Sequence, residues 1–473
     1  MPCVDEPIQA GAPPGREPLT DLGNARRLAR LRGRDLRYVK AWGAWFIWDG
    51  TRWAEDVCGR IGYEAQTVVT DLLAHAGRVA QAAAQVTDPD TRDRLAAQAK
   101  AAMQWARASE SRARLEAMVG LAGNQPEVAM HWAAFDADPW LLNCPNGTVD
   151  LRTGGLRPHR REDHLTKSTG VPYDPAARAP RWEVFLDRIM DGNTELIRFL
   201  RRAVGMSAAG VVRDHVLLIC WGTGSNGKST FLDAICAALG DYAMAAPPDL
   251  LMANRHEQHP TALADLFGRR LVVASESDEG RRLNEALVKR LTGGDVIKAR
   301  RIREDFWSFA PTHTLWLATN HKPVVLGNDH AIWRRIQLIP FRVTIDAQHR
   351  DPELPAKLRQ ELPGILGWIV RGCLEWQRHG LQAPADVEQA TQTYRSEMDV
   401  LAAFLEARCV VKPAARVKVK DLYEAYLHWC EETGERPLSQ RIFGVHLAER
   451  GFERAKSTGG QFVWLGVGLA IGG

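Results

Sequence analysis

Cysteine is scarce and unpatterned in this chain. Eight residues are spread from Cys3 to Cys430, with no Cys-x-x-Cys pair and no Cys/His group at zinc spacing. A zinc ribbon, a thioredoxin-like redox site and a disulfide scaffold are excluded on that count, and the cysteines read as small buried hydrophobes of a reducing compartment. No apolar run approaches the roughly 18 residues needed to cross a bilayer. The opening "MPCVDEPIQAGAPPGREP" lacks the apolar core of a signal peptide, so a cytoplasmic location and no membrane partner are expected. An excess of one charge is lacking too. With 61 basic and 57 acidic residues the net charge is +4, so any surface for nucleic acid must be local. Internal repeats and sustained heptads are absent.

What is there is an ordinary globular composition over 473 residues, enough for about three domains. Residues 1–20 are Pro-, Gly- and acid-rich and read as a disordered tail. Residues 21–205 are α-rich. They include a hairpin signal in "AWFIWDGTRW", helical spacing from 63 to about 120, a strand-and-turn stretch "WLLNCPNGTVDLRTGGLRPH", and two amphipathic helices in "WEVFLDRIM" and "ELIRFLRRAVGMSAAG". From 206 to 385, strand candidates "HVLLIC", "RLVVASE", "THTLWLATN" and "IQLIPF" alternate with helical patterns, which predicts a mostly parallel sheet. Residues 386–473 read as a helical unit ending in a Gly-Gly hairpin, with Ser439 as a helix N-cap.

The segment "WGTGSNGKST", residues 221–230, carries the sharpest chemical signal. Gly222, Gly227, Lys228 and Ser229 fit G-x-x-x-x-G-K-[ST] between a strand and a helix. Such a loop turns its N–H groups inward around a phosphate, the lysine reaches the β- and γ-phosphates, and the serine hydroxyl ligates Mg²⁺. Gly222, Thr223, Gly224, Ser225, Asn226, Gly227, Lys228, Ser229 and Thr230 are therefore the expected ATP-binding residues. As a solvated loop residue, Lys228 should matter little to folding. A carboxylate is needed to hold the metal or activate water. Glu276, near the end of "RLVVASESDEG", is the first choice and Asp278 the reserve. Asn320 ends "THTLWLATN", where its amide could orient the attacking water. Lys298, Arg300, Arg301 and Arg303 crowd the tip of a strand–tip–strand pattern and could grip a phosphodiester backbone, against the plainer reading of a solvated hairpin. Arg334 and Arg335 precede the last strand; one of them could act on a neighbouring subunit's nucleotide, or both could be surface arginines.

The order of P-loop, "LVVASESDEG", "LTGGDVIKAR", "LWLATNHKP" and "AIWRRIQLIPF" resembles superfamily 3 helicases, in particular the phage and plasmid primase–helicase group with its poxvirus-type relatives. The upstream "WFIWDGTRW … LLNCPNGTVDLRTG … LTKSTGVPYDP" is similar to the α-rich domain of that group. The resemblance implies a multidomain α/β chain: an α-rich N-terminal domain, an AAA+-like P-loop ATPase domain and, from the C-terminal pattern, a winged-helix-like domain. It further implies a hexameric ring moving on single-stranded or forked DNA, with ATP and Mg²⁺ as cofactors. It gives Lys228 and Ser229 to Walker A, Glu276 to Walker B, Asn320 to sensor 1, Lys298 and Arg300 to a channel hairpin, and Arg334 or Arg335 to an inter-subunit finger. Relatives often show two adjacent acids at Walker B, whereas Glu276 stands between Ser275 and Ser277. Relatives also carry a long N-terminal primase domain, so primer synthesis by this chain is not expected, and a separate primase or initiator would be a partner. An initiator or defence ATPase that binds DNA without unwinding it is the alternative.

Overall fold

The computed structural model describes residues 17–247, 249–253, 260–276, 278–300, 306–326, 330–435, 437–457 and 459–470. It divides into two compact units, one of residues 1–173 with 300–307 and one of 174–299 with 308–473. The sequence pattern placed the first boundary near 205. Helices Pro180–Ile189 and Thr194–Ala208 instead group with the second unit. Residues 1–20, expected from the sequence as a disordered tail, lie mostly outside the described residues, but Thr20 already caps the first helix, accepting from the Gly23 N–H.

In the first unit, strands β1 (Leu36–Val39), β2 (Ala44–Trp48) and β3 (Trp53–Glu55) form an antiparallel sheet, with Trp48 opposite Trp53 across the Asp-Gly turn. β4 (Leu141–Cys144), β5 (Gly147–Asp150) and β6 (Gly155–Arg157) form a second. The helical stretch resolves into Arg60–Gln85, Pro89–Ser109 and Arg112–Ala122. Pro89 opens its helix rather than breaking one, because at the first turn its missing N–H costs nothing, and Asp88 caps the end by accepting from Thr91.

The second unit is built on a five-stranded parallel sheet of β7 (Leu217–Trp221), β8 (Ala243–Ala245), β9 (Leu271–Glu276), β12 (Thr314–Thr319) and β13 (Ile336–Pro340), in the order β13-β7-β12-β9-β8. β10 (Ile297–Ala299) and β11 (Trp307–Phe309) pair as a separate ribbon. Leu217–Cys220 and Thr314–Leu317 are buried throughout, which is why they read as unbroken apolar runs: a parallel sheet is covered on both faces. Helices Thr194–Ala208 and Leu362–His379 cross beneath. At the crossing a Cβ on Gly205 would stand 2.0 Å from the Cys373 nitrogen and one on Gly372 2.1 Å from the Arg201 carbonyl, so only glycine admits that approach. Trp182 stacks on Phe231 at 5.6 Å, fixing the helix that follows the Gly-rich loop.

The C-terminal part has its own core, which includes Phe404, Tyr426, Phe443 and Trp464. Helix Val400–Arg408 leads into β14 (Cys409–Lys418), helices Val419–Thr433 and Gln440–Glu449, then β15 (Glu453–Lys456) and β16 (Phe462–Leu469), with sheet order β14-β16-β15. Ser439 holds the N-cap position without a side-chain hydrogen bond. β14 corrects the reading of residues 386–473 as helical up to the closing hairpin. Pro413 hides the strand by falling within a register shift between Val411 and Arg416, where no ladder N–H is demanded.

Candidate functional site

The C-terminal ends of three neighbouring strands are level. Thr319 on β12 is in register with Trp221 on β7 and with Glu276 on β9. The residues just beyond these ends converge at the crevice where parallel sheets bind ligands.

After Trp221 the chain turns sharply through Gly224 (φ +106°), Ser225 (φ +51°) and Gly227 (φ +84°) before helix Lys228–Leu239 begins. Gly222 and Gly227 are required by space. A Cβ on the first would meet the Asn226 amide at 2.3 Å and the Phe341 carbonyl at 2.4 Å, and one on the second would meet Ile189 at 2.6 Å. The result is a cradle at a helix N-terminus, with Thr223 and Ser229 exposed and Thr230 half-buried.

Lys228 is only 6% exposed, not solvated. Its ammonium donates to the Gly222 carbonyl at 2.6 Å, to Asn226 Oδ1 at 3.0 Å and to Asn320 Oδ1 at 3.2 Å. Burial lowers its pKa from the ordinary lysine value. The structure thus brings Lys228 and Asn320 together across 92 residues of sequence. Asn226 is held in turn, its amide nitrogen donating to the Phe341 carbonyl at 3.3 Å. Glu276 closes β9 one strand away, and Asp278 is exposed two residues further on.

The segment after β13 folds over the loop and was not visible as site material in the sequence. Ile345 N–H donates to the Ser225 carbonyl at 2.7 Å, and Arg350 Nη2 donates to Ser225 Oγ at 2.7 Å. Beside the loop lies a cavity of about 830 Å³, walled by Val184, Phe185, Arg188, Ile345 and Leu354 among others. "DAQHRDPE" carries no local signal for this; the contact follows only from the strand order.

The paired arginines separate in burial. Arg334 is exposed. Arg335 is buried, with Nε donating to Thr292 Oγ1 at 3.1 Å and Nη1 to the Ala331 carbonyl at 2.7 Å, so it is not a surface residue. Both stand where β13 starts, and the Arg335 carbonyl accepts from Leu217 N–H at the start of β7. The Gly-rich loop leaves the other end of β7, roughly 16 Å away at about 3.3 Å per residue. Lys298 and Arg300 are exposed on and beside β10, and the Arg300 guanidinium lies 4.9 Å from the Phe306 ring centre. Arg301 and Arg303 lie outside the described residues.

Comparison with known proteins gives three successive matches. Residues 25–191 match the family described as "D5 N terminal like", 220–335 a "Family of unknown function (DUF5906)", and 396–464 "Poxvirus D5 protein-like". D5-like stretches thus lie on either side of the central region, as the resemblance in the sequence implied. Among its D5-like relatives are a "Putative helicase" of Acanthamoeba polyphaga mimivirus, 24% identical over 64% of this chain and 34% of the relative. A "Putative primase" of African swine fever virus (strain Badajoz 1971 Vero-adapted) is 24% identical over 62% and 34%. A "Putative helicase" of Frog virus 3 (isolate Goorha) is 25% identical over 62% and 39%. The chain spans about a third of the length of these relatives. The apo C-terminal region of NrS-1 superposes with a TM-score of 0.45 at 12% identity, over 76% of this chain and 91% of that one. No helix among the described residues is long and apolar enough to cross a membrane.

Proposed function

We propose that this chain is the ATP-hydrolysing, DNA-translocating part of a replicative helicase of a phage, plasmid or prophage. The observation that carries the reading is Lys228 held against Asn320 at the level ends of β7, β12 and β9, with Glu276 closing the third strand. That is the arrangement a nucleoside triphosphate needs.

The phosphates enter the cradle of residues 222–230. Lys228 exchanges its internal oxygen partners for phosphate oxygens, and the large cavity beside the loop takes the base and ribose. Ser229 and Glu276 would hold Mg²⁺ through hard oxygen donors, and the bound ion would supply neutralisation of phosphate charge. Glu276 accepts a proton from the attacking water, which the Asn320 amide orients. Arg334, a strand's length from its own P-loop, serves the nucleotide of an adjacent copy, and this favours a closed ring, hexameric by the family's precedent. Lys298 and Arg300 grip the phosphodiester backbone of single-stranded DNA. The C-terminal helix–strand–helix–helix–strand–strand order with sheet β14-β16-β15 supports a winged-helix-like domain. There Arg441 and Lys456 are exposed, whereas Arg450 is paired with Asp399. A cytoplasmic site of action and a separate primase or initiator complete the proposal.

The test is ATP turnover with and without single-stranded DNA, run beside displacement of a labelled strand from a forked duplex. DNA-stimulated turnover with displacement is expected. Stimulated turnover with no displacement would move the assignment to a DNA-binding ATPase of the initiator or defence kind.

A further inference from the structure

Thr292 ends helix Glu285–Thr292 and is buried. Its hydroxyl donates to the Val288 carbonyl at 2.6 Å and accepts from Arg335 Nε. Its carbonyl accepts from His215 Nδ1 at 2.7 Å. Through these bonds and the Leu217–Arg335 backbone bond, the last turn of the helix is tied to the starts of both β7 and β13. The very next residues are Gly293 and Gly294, the latter at φ +81°, and then β10 with Lys298 at its centre. Gly293 lies against the tie itself, since a Cβ there would stand 3.8 Å from Arg335 Nη2. On the other side of Arg335 in sequence is exposed Arg334. One buried guanidinium therefore joins the root of the basic hairpin to the exposed arginine.

We propose that Arg335 is a positioning residue. It sets Arg334 relative to the root of β10, so that DNA pulling on the hairpin changes how Arg334 meets the neighbouring nucleotide. DNA stimulation of hydrolysis passes through the Arg335–Thr292 bond. The inference rests on the reading of the chain as a DNA-stimulated ATPase.

Thr292→Val tests it with least disturbance, because valine keeps the shape and removes only the hydroxyl, with its bonds to Arg335 Nε and to the Val288 carbonyl of its own helix. In the full chain, the ratio of turnover with oligo(dT) to turnover without it should fall about 5-fold or more, the lower end of ordinary coupling energies. KM for ATP and affinity for oligo(dT) should not move, since Thr292 touches neither. Arg335→Lys should lower the same ratio, and the double variant should be no worse than either single, as for two members of one interaction. A purely structural role would lower melting temperature and leave the ratio alone. A folded Thr292→Val protein with the wild-type ratio, or a double variant whose losses add, would overturn the inference. Wild-type protein without DNA-stimulated turnover would remove the functional reading and the inference together, which separates the two failures.

Discussion

At the scale of single residues, the Gly-rich loop is held by the lysine it was expected merely to carry. Lys228→Ala should abolish ATP turnover, because the phosphates lose their cation. It should also destabilise the protein by about 1–3 kcal/mol, because the oxygens of buried Gly222 and Asn226 lose their shared donor. Urea or thermal melting of the apo protein checks the second part, and an unchanged melt would mean the oxygens rehydrate freely. His313 gives a pH signature. It is 2% exposed, neither ring nitrogen has a hydrogen-bond partner among the described residues, and burial pulls its pKa from 6.5 to about 4. The small cavity it lines is shared with Arg213, Asp214 and His215. The folded state takes up the His313 proton less readily than the unfolded state does. Its contribution is therefore complete above pH 6.5, declines as pH falls, and is gone below about 4. The total is about 3 kcal/mol at 1.36 kcal/mol per pKa unit. Unfolding free energies of wild type and His313→Gln, compared from pH 7 to 4, should converge by that amount. Parallel curves would refute it.

At the scale of elements, the ribbon of β10 and β11 carries the clearest test. Lys298→Ala with Arg300→Ala should reduce strand displacement and DNA-stimulated turnover while basal turnover persists. The log–log salt slope of binding to single-stranded DNA should drop by roughly 1.4, at about 0.7 per phosphate contact. A normal slope with normal unwinding would leave the hairpin as solvated surface. The elements also divide by how readily the sequence announced them. β7, β9, β12 and β13 were legible because strands covered on both faces must be apolar throughout. The hairpin around the Asp-Gly turn was legible because turn chemistry is local. β14 was not, since a proline sitting in a bulge looks like a strand breaker. The domain boundary was not either. Amphipathic helices announce that they bury a face but not against which partner, and Thr194–Ala208 packs on a helix beginning at Leu362. At the site the pattern G-x-x-x-x-G-K-S was legible in one line. The brace from Phe341 to Asn226 and the separation of Arg334 from Arg335 were not, because each depends on a bond whose partner lies 43 to 115 residues away.

At the scale of the whole molecule, the proposed ring makes hydrolysis a property of pairs of subunits. Arg334→Ala and Lys228→Ala proteins should each be inactive alone, yet mixed rings should recover part of the turnover. Some interfaces will then join an intact P-loop to an intact Arg334. Titrating one variant into the other and assaying ATP turnover checks this, and no recovery at any ratio in rings shown to be mixed would count against action between subunits. The three oxygens around Lys228 bear on how such a machine idles. The Lys228 ammonium is not a bare cation in a hole but is already coordinated by its own chain. On the proposed function, nucleotide binding is a ligand exchange, and its affinity is the difference between two sets of bonds of similar kind. In the proposed cycle, the internal oxygens would return to the ammonium when product leaves, and the loop would keep its shape. A subunit can thus pass through its empty stage as a resting state with a defined structure, ready to reload.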